Sequence, residues 1–223
     1  MKKLLLLLIS PILSCCSDND FNDSDGFSIC GNLIEEADEE CDSDSLNCSD
    51  CKYPRMIFIN TSKIFTAADI GKYSTSELDL MCEEQAIENN FNTVKTWKAW
   101  ISRKDYNIGN AIYQSPGLYV NYVGDVLAYS FQDLTDGSIN KPILYDQLGN
   151  QHTMEVWTGT LTDGTVSNAN CDNWTLNSGF FGTVGKSDVI NKAWTSNEDY
   201  ANCADSKYFY CVESDFVQWD ETQ

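Results

Sequence analysis

Ten cysteines and a single histidine, His152, set the side-chain chemistry open to this 223-residue chain. The cysteines fall into three groups: adjacent Cys15 and Cys16, then Cys30, Cys41, Cys48 and Cys51, then Cys82, Cys171, Cys203 and Cys211. So many thiols suit an oxidising compartment, and two groups of four suit disulfides. Cys48 and Cys51 also have the spacing of a zinc pair, a role that an exported location disfavours. His152 follows a Gly149-Asn150-Gln151 turn and reads as an exposed loop residue rather than a base. The sequence holds no Gly-x-Ser-x-Gly elbow, no phosphate loop and no pair of histidine ligands. Glu83 and Glu84, adjacent on a predicted helix, diverge instead of converging on one substrate. A calcium loop with Gly26 at its sixth position would need acidic ligands where Phe21 and Asn32 stand. Glu40, Asp42 and Asp44 read as a solvated acidic loop rather than a calcium site. The chain is therefore expected to be no enzyme and to need neither metal nor cofactor.

Residues 1–14 read as an export signal. Lys2 and Lys3 precede an apolar run, Leu4 to Leu13, broken only by Ser10 and Pro11. That run is too short for a bilayer span of ~20 residues. Ile12-Leu13-Ser14-Cys15 resembles the lipobox of bacterial lipoproteins. The resemblance implies cleavage before Cys15, a diacylglycerol on its thiol and a third acyl chain on the new amino group. Each buried CH₂ contributes ~0.8 kcal/mol, so several chains anchor where one would not. Residues 15–29 form an acidic tether with too little apolar surface to fold. Acids placed just after a lipidated cysteine also resemble the surface-export tag of some bacterial lipoproteins. The expected location is the cell envelope, lipid-anchored at the outer membrane and exposed at the surface.

The net charge of -20 is concentrated near the start: residues 17–51 carry twelve acids and no Lys or Arg. Such a surface repels nucleic acid, heparin-like polyanions and anionic lipid headgroups, so neither nucleic acid nor heparin is an expected partner. It steers basic patches of proteins towards it, with a strong dependence on salt. Solubility alone is the plainer account of the same charge.

Residues 30–52 hold too few apolar side chains for a core, so crosslinks must hold them. Cys30-Gly31-Asn32 through Glu39-Glu40-Cys41-Asp42 resembles the Myxococcus-type cysteine-rich repeat. Leu33 replaces a glycine of that pattern and the second half is shortened. The resemblance implies a stalk or spacer without chemistry of its own. The pairing among Cys30, Cys41, Cys48 and Cys51 stays open.

Residues 53–216 carry the main domain, and 217–223 a tail. Met56 to Ile59 predicts a short strand. Ser74 and Glu77 form a capping box for a helix running to about Asn90, with Cys82 facing the core. Val94 to Ser102 predicts a strand whose Trp97, Ala99 and Ile101 alternate with Thr96, Lys98 and Trp100. Leu118–Tyr122 and Val126–Tyr129 flank Gly124-Asp125, a hairpin signal. Asp133–Gly137 and Thr162–Gly164 read as turns, and Glu155–Thr158 and Lys207–Val212 as strands. One early helix followed by many short strands reads as an α+β fold.

Leu80-Met81-Cys82, Thr96 to Ser102, Val156 to Thr160, Asp163-Gly164-Thr165, Cys171 to Trp174, Gly182 to Gly185, Cys203 and Tyr208 to Glu213 occur in an order that resembles the leptospiral endostatin-like lipoproteins. That family is a bacterial branch of the endostatin variant of the C-type lectin-like fold. The resemblance implies nested disulfides, Cys82–Cys211 and Cys171–Cys203. It also implies binding to host extracellular-matrix proteins and complement regulators. Endostatin's zinc site needs several histidines and its heparin site an arginine patch; this domain has His152, Arg55 and Arg103 only. The calcium motifs of sugar-binding C-type lectins are missing: Cys171-Asp172-Asn173-Trp174 has the wrong order and no Glu-Pro-Asn occurs.

Six Trp and eleven Tyr leave aromatics to spare for a surface. Trp157 and Trp174 are expected in the core. Tyr119, Tyr122, Tyr129, Trp194 and Tyr200 sit in or beside predicted hairpins and loops, and exposed Tyr and Trp are favoured interface anchors. Trp194 and Tyr200 are the candidate binding residues. The expected role is a surface adhesin-like binding module; the alternative is a structural envelope lipoprotein without an external ligand.

Overall fold

Met56 to Ile59 is apolar without alternation, and the fold explains why. The computed structural model describes residues 39–41, 48, 51–91 and 95–216. The signal (1–14), Cys15, Cys16, the tether, Cys30 and the tail (217–223) lie outside the described residues. Strand β1 (Arg55–Phe65) runs antiparallel to the long strand β8 (Lys207–Phe216). Over Ile57–Asn60 and Phe209–Val212 these two are buried on both faces, so neither shows the apolar–polar alternation of a half-buried strand there. Phe58, Phe65, Phe209 and Cys211 enter one core; Ile57, Ile59, Tyr210 and Val212 enter the other.

The other edge of β8 is shared in succession by β5 (Glu155–Trp157), parallel at Tyr208 and Phe209, and by β2 (Lys95–Ala99), antiparallel from Cys211 to Phe216. Strands β3 (Tyr119–Val120) and β4 (Val126–Ala128) form the expected hairpin beside β1. Strands β6 (Phe181–Lys186) and β7 (Asn197–Asn202) extend the sheet beyond β5, leaving β7 as a terminal strand. The fold is mixed α+β around a sheet core, stapled by disulfides.

Helix α1 (Ala67–Gly71) and helix α2 (Thr75–Glu88) help cover the first core. The capping box of α2 is as the sequence predicts: Ser74 Oγ accepts from Glu77 N, and Ser74 N donates to Glu77 Oε2 at 2.7 Å. Leu78, Cys82 and Ala86 point inward, and Cys82 bonds Cys211 at the sheet's centre. Short helices α3 (Ile108–Ala111) and α4 (Phe131–Leu134), with long loops, cover the second core. Helix α4 occupies part of what the sequence predicts as a turn at Asp133–Gly137. Ser130 caps it by accepting from Asp133 N. Trp100, expected on the polar face of its strand, is fully buried because the second core covers that face too; its Nε1 donates to Thr195 Oγ1 at 2.7 Å.

The second expected disulfide, Cys171–Cys203, closes a 32-residue separation within the 129 residues separating Cys82 and Cys211. Cys171, Asp172, Asn173 and Trp174 all have positive φ, between 51° and 65°. L-residues pay ~1–2 kcal/mol each for the left-handed helical conformation, so the surroundings must impose this turn. The disulfide fixes its start. Trp174 is fully buried and donates from Nε1 to Ser102 O at 2.9 Å. Asn173 N donates to Asn170 Oδ1, and Asn173 Oδ1 accepts from Lys104 N. Gly71 abuts the turn so closely that a Cβ there would lie 2.0 Å from Trp174 O.

Candidate binding surface

The predicted site residues divide into staples and surface. Cys41 pairs with Cys48, which settles one linkage in the cysteine-rich module; Cys51 is also disulfide-bonded. Among the described residues a charge pair and the bond from Tyr53 N to Glu40 Oε2 join the module to the main domain. Arg55, at the start of β1, has no exposed surface. Its Nη1 and Nη2 donate to both oxygens of Glu40, and its Nε donates to Ser214 O at 2.7 Å. Burial works against the guanidinium charge, but Glu40, with Glu213 and Tyr119 behind it, holds its pKa above the usual value. Glu40 is therefore a clamp, not a free acidic ligand.

Neither arginine of the domain offers a basic surface patch. Arg103 donates from Nη2 to Ile70 O and Tyr73 O, tying the α1–α2 junction to the loop after β2. His152 is a loop residue but not a free one. Its Nε2 lies 2.7 Å from Asp146 Oδ2. Asp146 Oδ1 also accepts from Leu148 N and Asn150 N. Burial raises the Asp146 pKa, and the bonds from His152, Asn150 and Leu148 outweigh that and bring it below the usual value. The pair pins a turn. Among the described residues no group of three or more His, Cys, Asp or Glu side chains is placed to hold a metal ion.

Of the two candidate surface aromatics, Trp194 is in the core. It is fully buried, 5.2 Å from the Trp100 ring and 6.1 Å from the Tyr210 ring. The short 3₁₀ helix Lys192–Trp194 turns it inward under the second core, so its place in a loop did not make it a surface residue. Tyr200, on β7, is 45% exposed. Tyr119 is buried, and Tyr129 is exposed.

Two surface features emerge, of which the sequence pointed only to Tyr122. The first is apolar. Tyr122 and Val123, in the β3–β4 turn, and Leu148, in the Asp146–Asn150 turn, are all exposed. Tyr122 lies over Gly149 and its ring sits 5.8 Å from Phe91, so the two turns touch through that ring. Tyr122 is among the hairpin aromatics noted in the sequence; Val123 and Leu148 are not. The second is an open cleft of about 740 Å³ between the Asp136-Gly137 turn, the Asn191–Ala193 segment and the first half of β7.

No family model matches the chain, and no curated protein matches it.

Both surface features lie on turns or at the sheet's outer strand, where a partner can reach them. Among the described residues no helix is long and apolar enough to cross a membrane.

Proposed function

We propose that the chain is a surface-exposed bacterial lipoprotein, held in the outer membrane by lipid on Cys15, whose main domain binds proteins of the host through its loops. We read that domain as an endostatin-like variant of the C-type lectin-like fold. The order of motifs and the nested pair Cys82–Cys211 and Cys171–Cys203 support that reading. The observation that carries the binding role is the exposure of three apolar side chains, Tyr122, Val123 and Leu148, on two turn tips that touch through the Tyr122 ring and Gly149, each at least 37% exposed. Loop tips are solvated by default, and clustered apolar side chains there mark interaction sites rather than packing. Matrix proteins and complement regulators are the partner class by family resemblance.

The test is binding of the mature chain to immobilised matrix proteins and complement regulators, with Tyr122→Ser and Leu148→Ser variants beside the wild type. Truncating an interface anchor costs ~1–3 kcal/mol, so each variant should bind roughly 5- to 150-fold more weakly, Leu148→Ser at an unchanged melting temperature and Tyr122→Ser with some loss of stability from its contacts with Phe91 and Gly149. Cys15→Ala should abolish fatty-acid labelling in cells. A wild-type chain that binds none of these proteins at micromolar concentration refutes the adhesin reading and favours a structural envelope role.

A further inference from the structure

Strand β7 is the last strand of its sheet, and the register shows which of its backbone groups face outward. Cys203 N donates to Phe180 O, and the same register pairs Asn202 with Phe181 and Ala201 with Gly182. In an antiparallel pair, successive residues turn their N–H and C=O alternately towards and away from the neighbouring strand. Cys203 and Ala201 therefore face β6, and Asn202 and Tyr200 face away from it. Beyond Gly182, β6 offers Tyr200 nothing, because Thr183 donates to Ala169 O and accepts from Gly159 N. Asn202 O accepts from Asp205 N at 2.8 Å. Among the described residues, no main-chain bond outside the strand ladder reaches Tyr200 N–H, Tyr200 C=O or Asn202 N–H. The open cleft borders Asn197, Glu198 and Asp199, so there is room for chain beside the first half of β7. Free backbone groups on an outer strand, with space alongside, are a template for one more strand.

The side chains at this edge select among strands. Strand β7, NEDYAN, carries two carboxylates and no cation. The Glu198 and Asp199 side chains are more than three-quarters exposed, so their pairs with Lys192 and Lys186 contribute little and yield to a competing cation. A second copy of β7 would set carboxylates against carboxylates between chains that each carry a net charge of -20, and like charges across a ladder destabilise it. A basic segment meets the opposite sign. Phe181 and Asn202 are direct partners and share a face of the strand pair, and Tyr200, two residues from Asn202, lies on that face too. Phe181 and Tyr200 are both exposed there. An arginine on the same face of an added strand can stack on such rings.

We propose that the outer edge of β7 receives an extended basic segment of a protein partner as an added strand, bonded to Tyr200 N–H and C=O, with arginine or lysine side chains set against Tyr200, Glu198 and Asp199. The inference rests on the protein-binding reading above for the existence of a partner, and not for the geometry of the edge.

The test is an NMR titration of the ¹⁵N-labelled mature chain, carrying Cys15→Ser and Cys16→Ser, with acetyl-Thr-Arg-Val-Arg-Thr-amide. Two N-methylated forms of the peptide, one methylated at Val and one at both Arg, keep its charge and remove backbone donors from one side or the other. The amides of Tyr200 and Asn202 should shift, saturate and gain protection from hydrogen exchange. One of the two methylated forms should bind about fivefold more weakly or worse, having lost its bonds to the edge. The citrulline form of the peptide and the E198Q/D199N variant should each weaken binding about two- to fivefold. No shift at Tyr200 up to about 10 mM peptide, weaker than any useful affinity, would overturn the proposal. So would unchanged binding of both methylated forms, of the citrulline peptide or of E198Q/D199N. Shifts at Tyr200 that follow protein concentration without peptide would assign the edge to a second copy and overturn it as well. Peptide binding alongside a failed matrix screen supports the edge while removing the matrix-binding role. A matrix partner that binds while the peptide causes no shift overturns the edge and keeps that role.

Discussion

Replacing Glu40 by Gln should destabilise the whole molecule, although Glu40 belongs to the cysteine-rich module. The substitution keeps the shape of the side chain and removes its charge. It leaves Arg55 with no exposed surface and without its bidentate counter-ion. Breaking a fully buried pair costs ~3–5 kcal/mol. Here Ser214 O and Tyr53 O still accept from Arg55, and the Glu40 side chain is 11% exposed. The loss therefore falls near or below the low end of that range, about 2–3 kcal/mol. In a chain of this size each kcal/mol moves the midpoint by ~2–4 °C, so the melting temperature should drop by roughly 4–12 °C. Circular dichroism of residues 17–223, in low salt and again in high salt, measures it. The drop should persist in salt, because buried pairs are screened little. Replacing both partners with Met should recover most of it, since apolar replacement of a buried pair is often neutral or stabilising. A shift no larger than that of Lys192→Gln, which breaks an exposed pair, would refute the idea that this clamp seats the module on the domain.

Three further outcomes follow from the same geometry. Chain entropy gives the Cys82–Cys211 crosslink roughly 5 kcal/mol and Cys171–Cys203 roughly 4, so in denaturant titrations the Ser pair at 82 and 211 should lose more stability than the pair at 171 and 203. Asp172→Gly should raise the melting temperature by about 2–4 °C, since glycine takes a positive φ freely and Asp172 is exposed; Asn173→Gly should gain less, because its Oδ1 accepts from Lys104 N. Asp69, bonded to Lys72 and Thr66, has its pKa lowered from 3.8 to about 2; a depressed acid stabilises the fold above its unfolded value and loses that stability as pH falls towards 2, so Asp69→Asn should flatten the melting-temperature profile between pH 4 and 2.

What was legible in the sequence was whatever a local rule encodes. The capping box at Ser74 and Glu77 gave the start of α2 to the residue, because the cap is a bond between residues three apart. Gly124-Asp125 gave the β3–β4 hairpin. Strands β6 and β7 pair with each other, but residues 187–196 between them are too long for a tight-turn signal and β7, NEDYAN, has no β-branched residue, so the pair is not legible in the sequence. Gly182 has no side chain since one would meet the Trp157 ring and the Cys171 sulfur, a constraint invisible from its neighbours in sequence. The disulfide pairing in the main domain came from family resemblance rather than spacing, and the fold brings the same cysteines together.

The surface was harder to read than the core, and Trp194 shows why. A loop position says only that the backbone is irregular; it does not say which way the side chain turns. Lys192 to Trp194 forms one turn of 3₁₀ helix, which sends Lys192 outward and Trp194 beneath Trp100 and Tyr210. Asn197, three residues on, is buried by the same turn, while Glu198 and Tyr200 stay out. Trp194→Ala would therefore report on folding, at ~3–5 kcal/mol for a large aromatic lost from a core, and not on binding. Among the residues left exposed and able to meet a partner are Tyr122, Val123 and Leu148 at the turn tips, and Glu198, Asp199 and Tyr200 on the outer strand. Their positions depend on where the loops over the second core close, which is a property of the packed molecule and not of any short run of sequence.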